Sequence, residues 1–391
     1  MVMDNEISRA RKAKRRKIRR KRALAALLVV FLIFAVMTAI SISSTVLSYD
    51  IRDFFSSLVT FGSFPVETDN GIINEISVSA RSMFLLSDTA LKVVSGAGAE
   101  LLEYSHGLSN PGLAVSGSRA AVYSRGGKSF KLFNRTMMLY SGTLQNTIIS
   151  AAVTQSGKSA FLTSSDVYTC ELTVFNRNCE KTFTWYGSDG FPVGVYASSY
   201  GNDVLVLCVK SRDGVLYTSV TRIDLNSRKE KESFEVKGLA VKAFPESDSA
   251  VIVMDDRCIR CTADGTQEAS FSFEGRTVLD VFNDPGRDIV IAFGDNKRSE
   301  INSVTVLTRK LSVTGTIDYR DQIEDLWVSS DRVFILTRGT VSSYAHSGIL
   351  QEIYHCDFSS YSIVYFGGVI TLEPKYLIKL SRENREVIEE K

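Results

Sequence analysis

Hydrophobic positions follow two different rhythms along this chain, and the change falls near residue 60. From Ala23 to Ile42 no residue is charged, and only Thr38 and Ser41 are polar. Twenty residues at the helical rise span roughly 30 Å, the hydrocarbon thickness of a bilayer. Both hydroxyls can return to helix carbonyls, so neither opposes insertion. The pattern predicts a transmembrane helix over 23–42. Next, Leu47, Ile51, Phe54, Phe55 and Leu58 form one apolar stripe at helical spacing, with Asp50, Arg52, Asp53 and Ser56 elsewhere. Segment 43–60 therefore reads as a juxtamembrane amphipathic helix or stalk.

Beyond residue 60 helical periodicity vanishes, and short β-rich runs alternate with Gly, Ser, Asn and Asp clusters. Four-residue apolar runs recur as MFLL (83–86), AAVY (120–123), AFLT (160–163), VLVL (204–207), AVIV (250–253), IVIA (289–292), VFIL (333–336) and VITL (369–372). Their starts are 37, 40, 44, 46, 39, 44 and 36 residues apart. That period, with four strands per unit, predicts propeller blades. The apolar runs suit strands covered on both faces. Runs such as EKTFTWYG and KESFEVKG alternate polar with apolar, as half-exposed outer strands do.

Eight starts occur, but the eighth unit has room for only three strands before the tail RENREVIEEK. The run FGSFPVE (61–67) is a spare strand at the other end, and Pro65 suits an outermost position. Joining both ends in one blade closes the ring and removes aggregation-prone edges. The expected class is all-β: an eight-bladed β-propeller over 61–381, with seven blades as the alternative, preceded by one transmembrane helix. Residues 382–391 read as a charged C-terminal tail.

Charge sharpens the address. The net charge of +2 conceals a basic tail, residues 1–22, with Arg9, Arg11, Lys12, Lys14, Arg15, Arg16, Lys17, Arg19, Arg20, Lys21 and Arg22 against Asp4 and Glu6. The rest holds 35 cations against 42 anions, a balance of −7 that repels phosphate backbones. No nucleic-acid partner is therefore expected of the large domain. The rival for the tail, a nucleic-acid arm joined to a buried helix, is weaker than the long apolar run. A cleaved signal would have a shorter apolar stretch and a small-x-small site, and FAVMTAIS offers no persuasive one. Cations on the N-terminal flank place that end inside, so the reading is a single-pass signal anchor in the cell membrane with the propeller on the extracytoplasmic side. The basic cluster would also attract anionic lipid of the inner leaflet, at about 1 kcal/mol per cation.

A basic tail, one apolar helix, an FPV-bearing strand and degenerate blade repeats resemble an uncharacterised bacterial family of single-pass membrane-anchored β-propeller proteins. The resemblance implies an extracytoplasmic propeller and supplies no activity or catalytic residue. More distantly similar are the pyrroloquinoline-quinone-type repeats of outer-membrane assembly scaffolds and alcohol dehydrogenases. Those quinone enzymes dock their blades with recurrent Trp, whereas this chain has only Trp185 and Trp327. No cofactor is expected.

The search for chemistry yields little. His106, His346 and His355 read as surface residues near the rim, too dispersed for zinc. Cys258 and Cys261 form CIRC, whose members face opposite sides of a strand. Cys208 reads as a core thiol. Cys170 and Cys179 bracket the hairpin CELTVFNRNC and could bridge if its turn centred near Val174–Phe175, although NRN suggests a later turn. This pair is the candidate disulfide, ranked behind six unlinked small residues. No G-x-S-x-G, phosphate loop or H-E-x-x-H occurs. The DG pairs are hairpin turns without the carboxylates of a calcium loop. No catalytic or metal-ligating residue is assigned. The expected function is a non-catalytic binding or scaffold module for protein, peptide or wall glycan. The alternative is a glycan hydrolase or lyase with carboxylates in the central channel. Ionisable residues lining that channel discriminate the two.

Overall fold

The computed structural model describes residues 27–32, 34, 49–50, 53, 61–68, 71–198, 201–283, 288–295, 300–381 and 385–387. The chain divides into two compact units, Met1–Leu58 and Val59–Lys391. In the first, residues 27–32, 34, 49–50 and 53 are helical. Among the described residues no helix is long and apolar enough to cross a membrane. The basic cluster Arg9–Arg22 and most of segment 23–42 lie outside the described residues.

The second unit is an eight-bladed β-propeller, built from eight antiparallel sheets; seven blades are ruled out. Blade 1 comprises Ile73–Ser79, Ser82–Ser87, Ala90–Ser95 and Glu100–Ser105, and six further four-strand meanders follow in chain order. Every predicted apolar run lies in the second strand of a blade. Blade 8 has three strands of its own, Ser362–Tyr365, Val369–Leu372 and Tyr376–Lys379, and Val66–Glu67 is its fourth. The predicted closing strand spanned 61–67, but pairing begins at Val66. Pro65 carries no N–H to donate, so the ladder starts one residue later.

The expected free tail is partly a strand. Arg385–Val387 pairs antiparallel with Glu352–Tyr354 and makes blade 7 five-stranded. A run this polar was not legible as a strand, because it adds to an exposed outer edge that demands no apolar face.

The core lies between blades. Eight separate apolar clusters occupy the eight seams, and the period-2 alternation of each second strand feeds two of them. Val204, Val206 and Cys208 face blade 3, whereas Leu205 and Leu207 face blade 5. Met83 and Leu85 pack with Val66, Ile370 and Leu377 of blade 8, closing the ring. All four of MFLL are fully buried. At ~25 cal/mol per Å2 of apolar surface, such strands supply much of the stability.

Candidate functional site

The innermost strand of each blade lines the central channel, whose two ends differ in chemistry. Where these strands end, a cavity of about 450 Å3 opens among blades 1 to 6. Its walls are Val78, Ser79, Val115, Ser116, Ala151, Tyr196, Ala197, Phe244 and their neighbours. Among the described residues no Asp, Glu, Lys, Arg, His or Cys lines it. Tyr196, the one titratable lining group among the described residues, donates its hydroxyl to the Val241 carbonyl at 3.0 Å. Burial pushes its pKa up to about 12, so it stays neutral. Ser116 Oγ donates to Gln155 Oε1 at 3.2 Å. Asn283 Oδ1, on the same wall, is buried and accepts no hydrogen bond.

Charged residues stand nearer the starts of the same strands. In blades 1, 3, 4, 5 and 6 the register slips by one residue early in the first strand. Such bulges re-aim side chains. The residues that follow are Glu75, Ser150, Gly194, Lys242 and Asp280. Several of this level reach the next blade. Glu75 accepts from the Leu113 N–H at 2.9 Å and from Arg125. Ser150 Oγ accepts from the Val195 N–H at 3.4 Å. Lys242 Nζ donates to the Val281 carbonyl at 2.6 Å and lies 3.5 Å from Asp280. Asp325 of blade 7 accepts from Ser362 Oγ at 2.5 Å and the Ile363 N–H at 2.9 Å, both in blade 8, and from the Leu326 N–H at 2.8 Å. Burial raises the pKa of Asp325, those hydrogen bonds oppose the rise, and Asp280 adds to it. These carboxylates staple neighbouring blades. Each has a cation or several donors already. Sequence reading missed this collar, because a bulge breaks the alternation that says which residues face inward.

The residues singled out by sequence fall as follows. The Cys170–Cys179 bridge is corrected. Cys170 pairs with Gly187 at one end of its strand, whereas Cys179 lies beyond the other end, in a turn at 176–179 with φ 63°. A strand length separates the two, and neither is in a disulfide. Cys208 is a buried core thiol, and its sulfur lies 3.8 Å from that of Cys170. Cys258 and Cys261 face different seams, one toward blade 6 and one toward blade 4, as the strand reading required. Burial pushes their thiols up to about 12 and about 11.

His106 is a second correction: it is buried, not superficial. Its Nδ1 accepts from the Leu108 N–H at 3.0 Å, so Nε2–H donates to the Ser87 carbonyl at 3.1 Å. The ring replaces backbone partners in a tight turn. His346 lies with Nδ1 2.7 Å from Asp288 Oδ2. Among the described residues no three His, Cys, Asp or Glu side chains gather as metal ligands would.

Solved structures share the architecture. Sqt1 of Saccharomyces cerevisiae is 8% identical, with a TM-score of 0.56 over 83% of this chain and 100% of that one. The C-terminal WD40 domain of Sif2 is 11% identical, with a TM-score of 0.55 over 82% and 100%. The Dos1 propeller is 13% identical, with a TM-score of 0.54 over 74% and 81%. At such identities the likeness concerns the fold alone. No curated protein is detectably similar in sequence. Residues 69–380, which cover every blade, match a family of unknown function (DUF5711), and the chain belongs to that family.

Proposed function

We propose that this chain is a non-catalytic binding module, a rigid propeller held on the extracytoplasmic side of the cell membrane by its N-terminal segment. The funnel takes an uncharged, hydrogen-bonding stretch of a peptide or wall glycan. One observation carries the reading: among the described residues the funnel is lined by no ionised group, and Ser79, Ser116 and Ser198 stand on its wall among apolar side chains. Cavities of this size with few convergent polar groups suit a ligand segment. The tether rests on the apolar run 23–42 and its basic flank, with Arg9 to Arg22 against anionic lipid.

A glycan hydrolase or lyase would need a free acid and a free base or nucleophile at the sugar. Glu75, Asp280 and Asp325 are instead committed to neighbouring groups. The test is binding of defined peptidoglycan fragments and of an immobilised peptide library by the purified full chain. Ala114→Arg, which fills the funnel wall, should abolish binding while leaving the circular dichroism unchanged. Binding that survives this variant would place the ligand elsewhere. Cleaved fragments, lost with Asp280→Asn, would establish the enzyme instead.

A further inference from the structure

The cysteine reading placed a bridge within one hairpin, but the fold brings together two cysteines 38 residues apart in sequence. Cys170 begins the third strand of blade 3, Cys170–Phe175, and Cys208 lies in the second strand of blade 4, Asp203–Arg212. Both belong to the apolar cluster of the seam between those blades, with Leu172 and Val206. Their sulfurs stand 3.8 Å apart, within hydrogen-bond reach of each other. A covalent S–S bond of ~2.05 Å requires the two side chains to close this gap. Cys258 and Cys261, the other fully buried pair, lie in different seams and cannot meet.

We propose that Cys170 and Cys208 are a modification site, oxidised to a disulfide that ties blade 3 to blade 4. The step is thiol–disulfide exchange with a disulfide oxidant, either a protein or a low-molecular-weight one. The thiolate of one cysteine attacks a sulfur of the oxidant and expels a thiolate, leaving a mixed disulfide. The second cysteine attacks the protein sulfur of that intermediate and expels the other half. Two S–H bonds are lost and one S–S bond forms. The oxidant accepts two electrons and two protons and leaves as two thiols.

The hydrogen-bond contact with Cys208 lowers the pKa of Cys170, burial opposes this, and the Gly187 N–H assists. The same contact, with burial, raises Cys208. Cys208 also lines a cleft of about 260 Å3 between the two blades, beside Trp185, Ser219 and Phe234. That cleft is the approach for the oxidant while the seam is still closing. An oxidising compartment for the reaction rests on the proposed topology, whereas the capacity to form the bond does not.

The test therefore uses purified full-length protein in detergent. It is fully reduced, then partly unfolded and refolded in a buffer of reduced and oxidised glutathione. Free thiols are alkylated, and the protein is digested for mass spectrometry. The expected result is a linked peptide pair containing Cys170 and Cys208, two hydrogens lighter than the separate peptides, with the alkylated thiols falling from six to four. Cys170→Ser should abolish the linked pair and leave Cys179 alkylated. Six alkylated thiols in the refolded wild type, or a link joining Cys170 to any other cysteine, would overturn the proposal. Because the oxidant is supplied in the tube, a negative result bears on the bond and not on where the protein resides.

Discussion

Val66 lies opposite Leu377 across an antiparallel ladder, so a residue from the start of the propeller completes the blade made by its end. Both side chains are buried in the seam that also holds Met83 and Leu85 of blade 1. The ring is thus closed by two paired residues and one apolar cluster, without a covalent bond between the ends. Deleting residues 61–67 should expose Tyr376–Lys379 as an edge strand and empty part of this cluster. The expected outcome is a lower thermal midpoint and concentration-dependent association, read by calorimetry and light scattering. A monomeric deletion variant with an unchanged midpoint would contradict this account of closure.

Arg222 is a second stapling point. Its buried guanidinium lies 3.2 Å from Asp203 Oδ2 and donates to the backbone carbonyls of Glu246 at 2.7 Å, Ser247 at 3.1 Å and Ser249 at 2.8 Å. One planar fork thereby ties blade 4 to the loop between the first two strands of blade 5. Arg222→Leu should cost about 3–5 kcal/mol, since it strands buried carbonyls and leaves Asp203 only the more distant Lys231, at 3.7 Å. Arg222→Lys should recover little of this, because an ammonium lacks the fork. Denaturant midpoints of the three proteins provide the measurement.

His106 gives the propeller a pH dependence. Burial holds its pKa below the ordinary 6.5, the Ser87 carbonyl opposes this, and nearby Lys131 adds to the lowering. The unfolded chain therefore takes up a proton that the folded chain refuses. Stability from this residue is complete above about pH 6.5 and declines as pH falls below that value toward the folded pKa. A midpoint that drops from about pH 7 to about pH 5, with the drop reduced in His106→Gln, is the expected result. An equal slope in the variant would assign the dependence to other groups.

Gly315, in the fourth strand of blade 6, is pressed against blade 7. A Cβ there would lie 2.3 Å from the Ser347 carbonyl carbon and 2.5 Å from the His346 carbonyl oxygen. Both contacts are backbone, so neither can swing aside. Gly315→Ala should destabilise by about 1–3 kcal/mol through overpacking. The same substitution at Gly126, where nothing stands within 4 Å but φ is 74°, should show the smaller cost of backbone strain alone. Thermal unfolding separates them.

The tether is tested on intact cells. Added protease should shave off the propeller and spare a basic stub bearing Arg9 to Arg22, detected by an N-terminal tag. A propeller untouched until the membrane is broken would reverse the proposed orientation.

Much of the fold was legible before any coordinates. The runs from MFLL to VITL recur because each second strand is buried on both faces, and burial leaves little freedom of composition. The turn clusters between them recur because tight hairpins need residues that tolerate unusual φ. Local rules of this kind, repeated eight times, marked the position of every second strand and pointed to eight blades, with seven excluded only by the sheets themselves. The closure by Val66 was likewise readable, as a surplus at one end and a deficit at the other.

Tertiary structure alone decided which polar residues meet. Asp325 beside Ser362, Arg222 beneath Ser249 and Cys170 against Cys208 are pairs across seams, and no sequence period encodes a neighbour in the next blade. The bulges that turn Glu75, Lys242 and Asp280 into one collar erase the alternation by which inward residues are recognised. Arg385–Val387 joined blade 7 because a vacant edge needs backbone donors and acceptors, which every sequence carries. Periodicity reports burial, a property each strand has by itself; a site is a convergence of distant strands, and that exists only once the ring has closed.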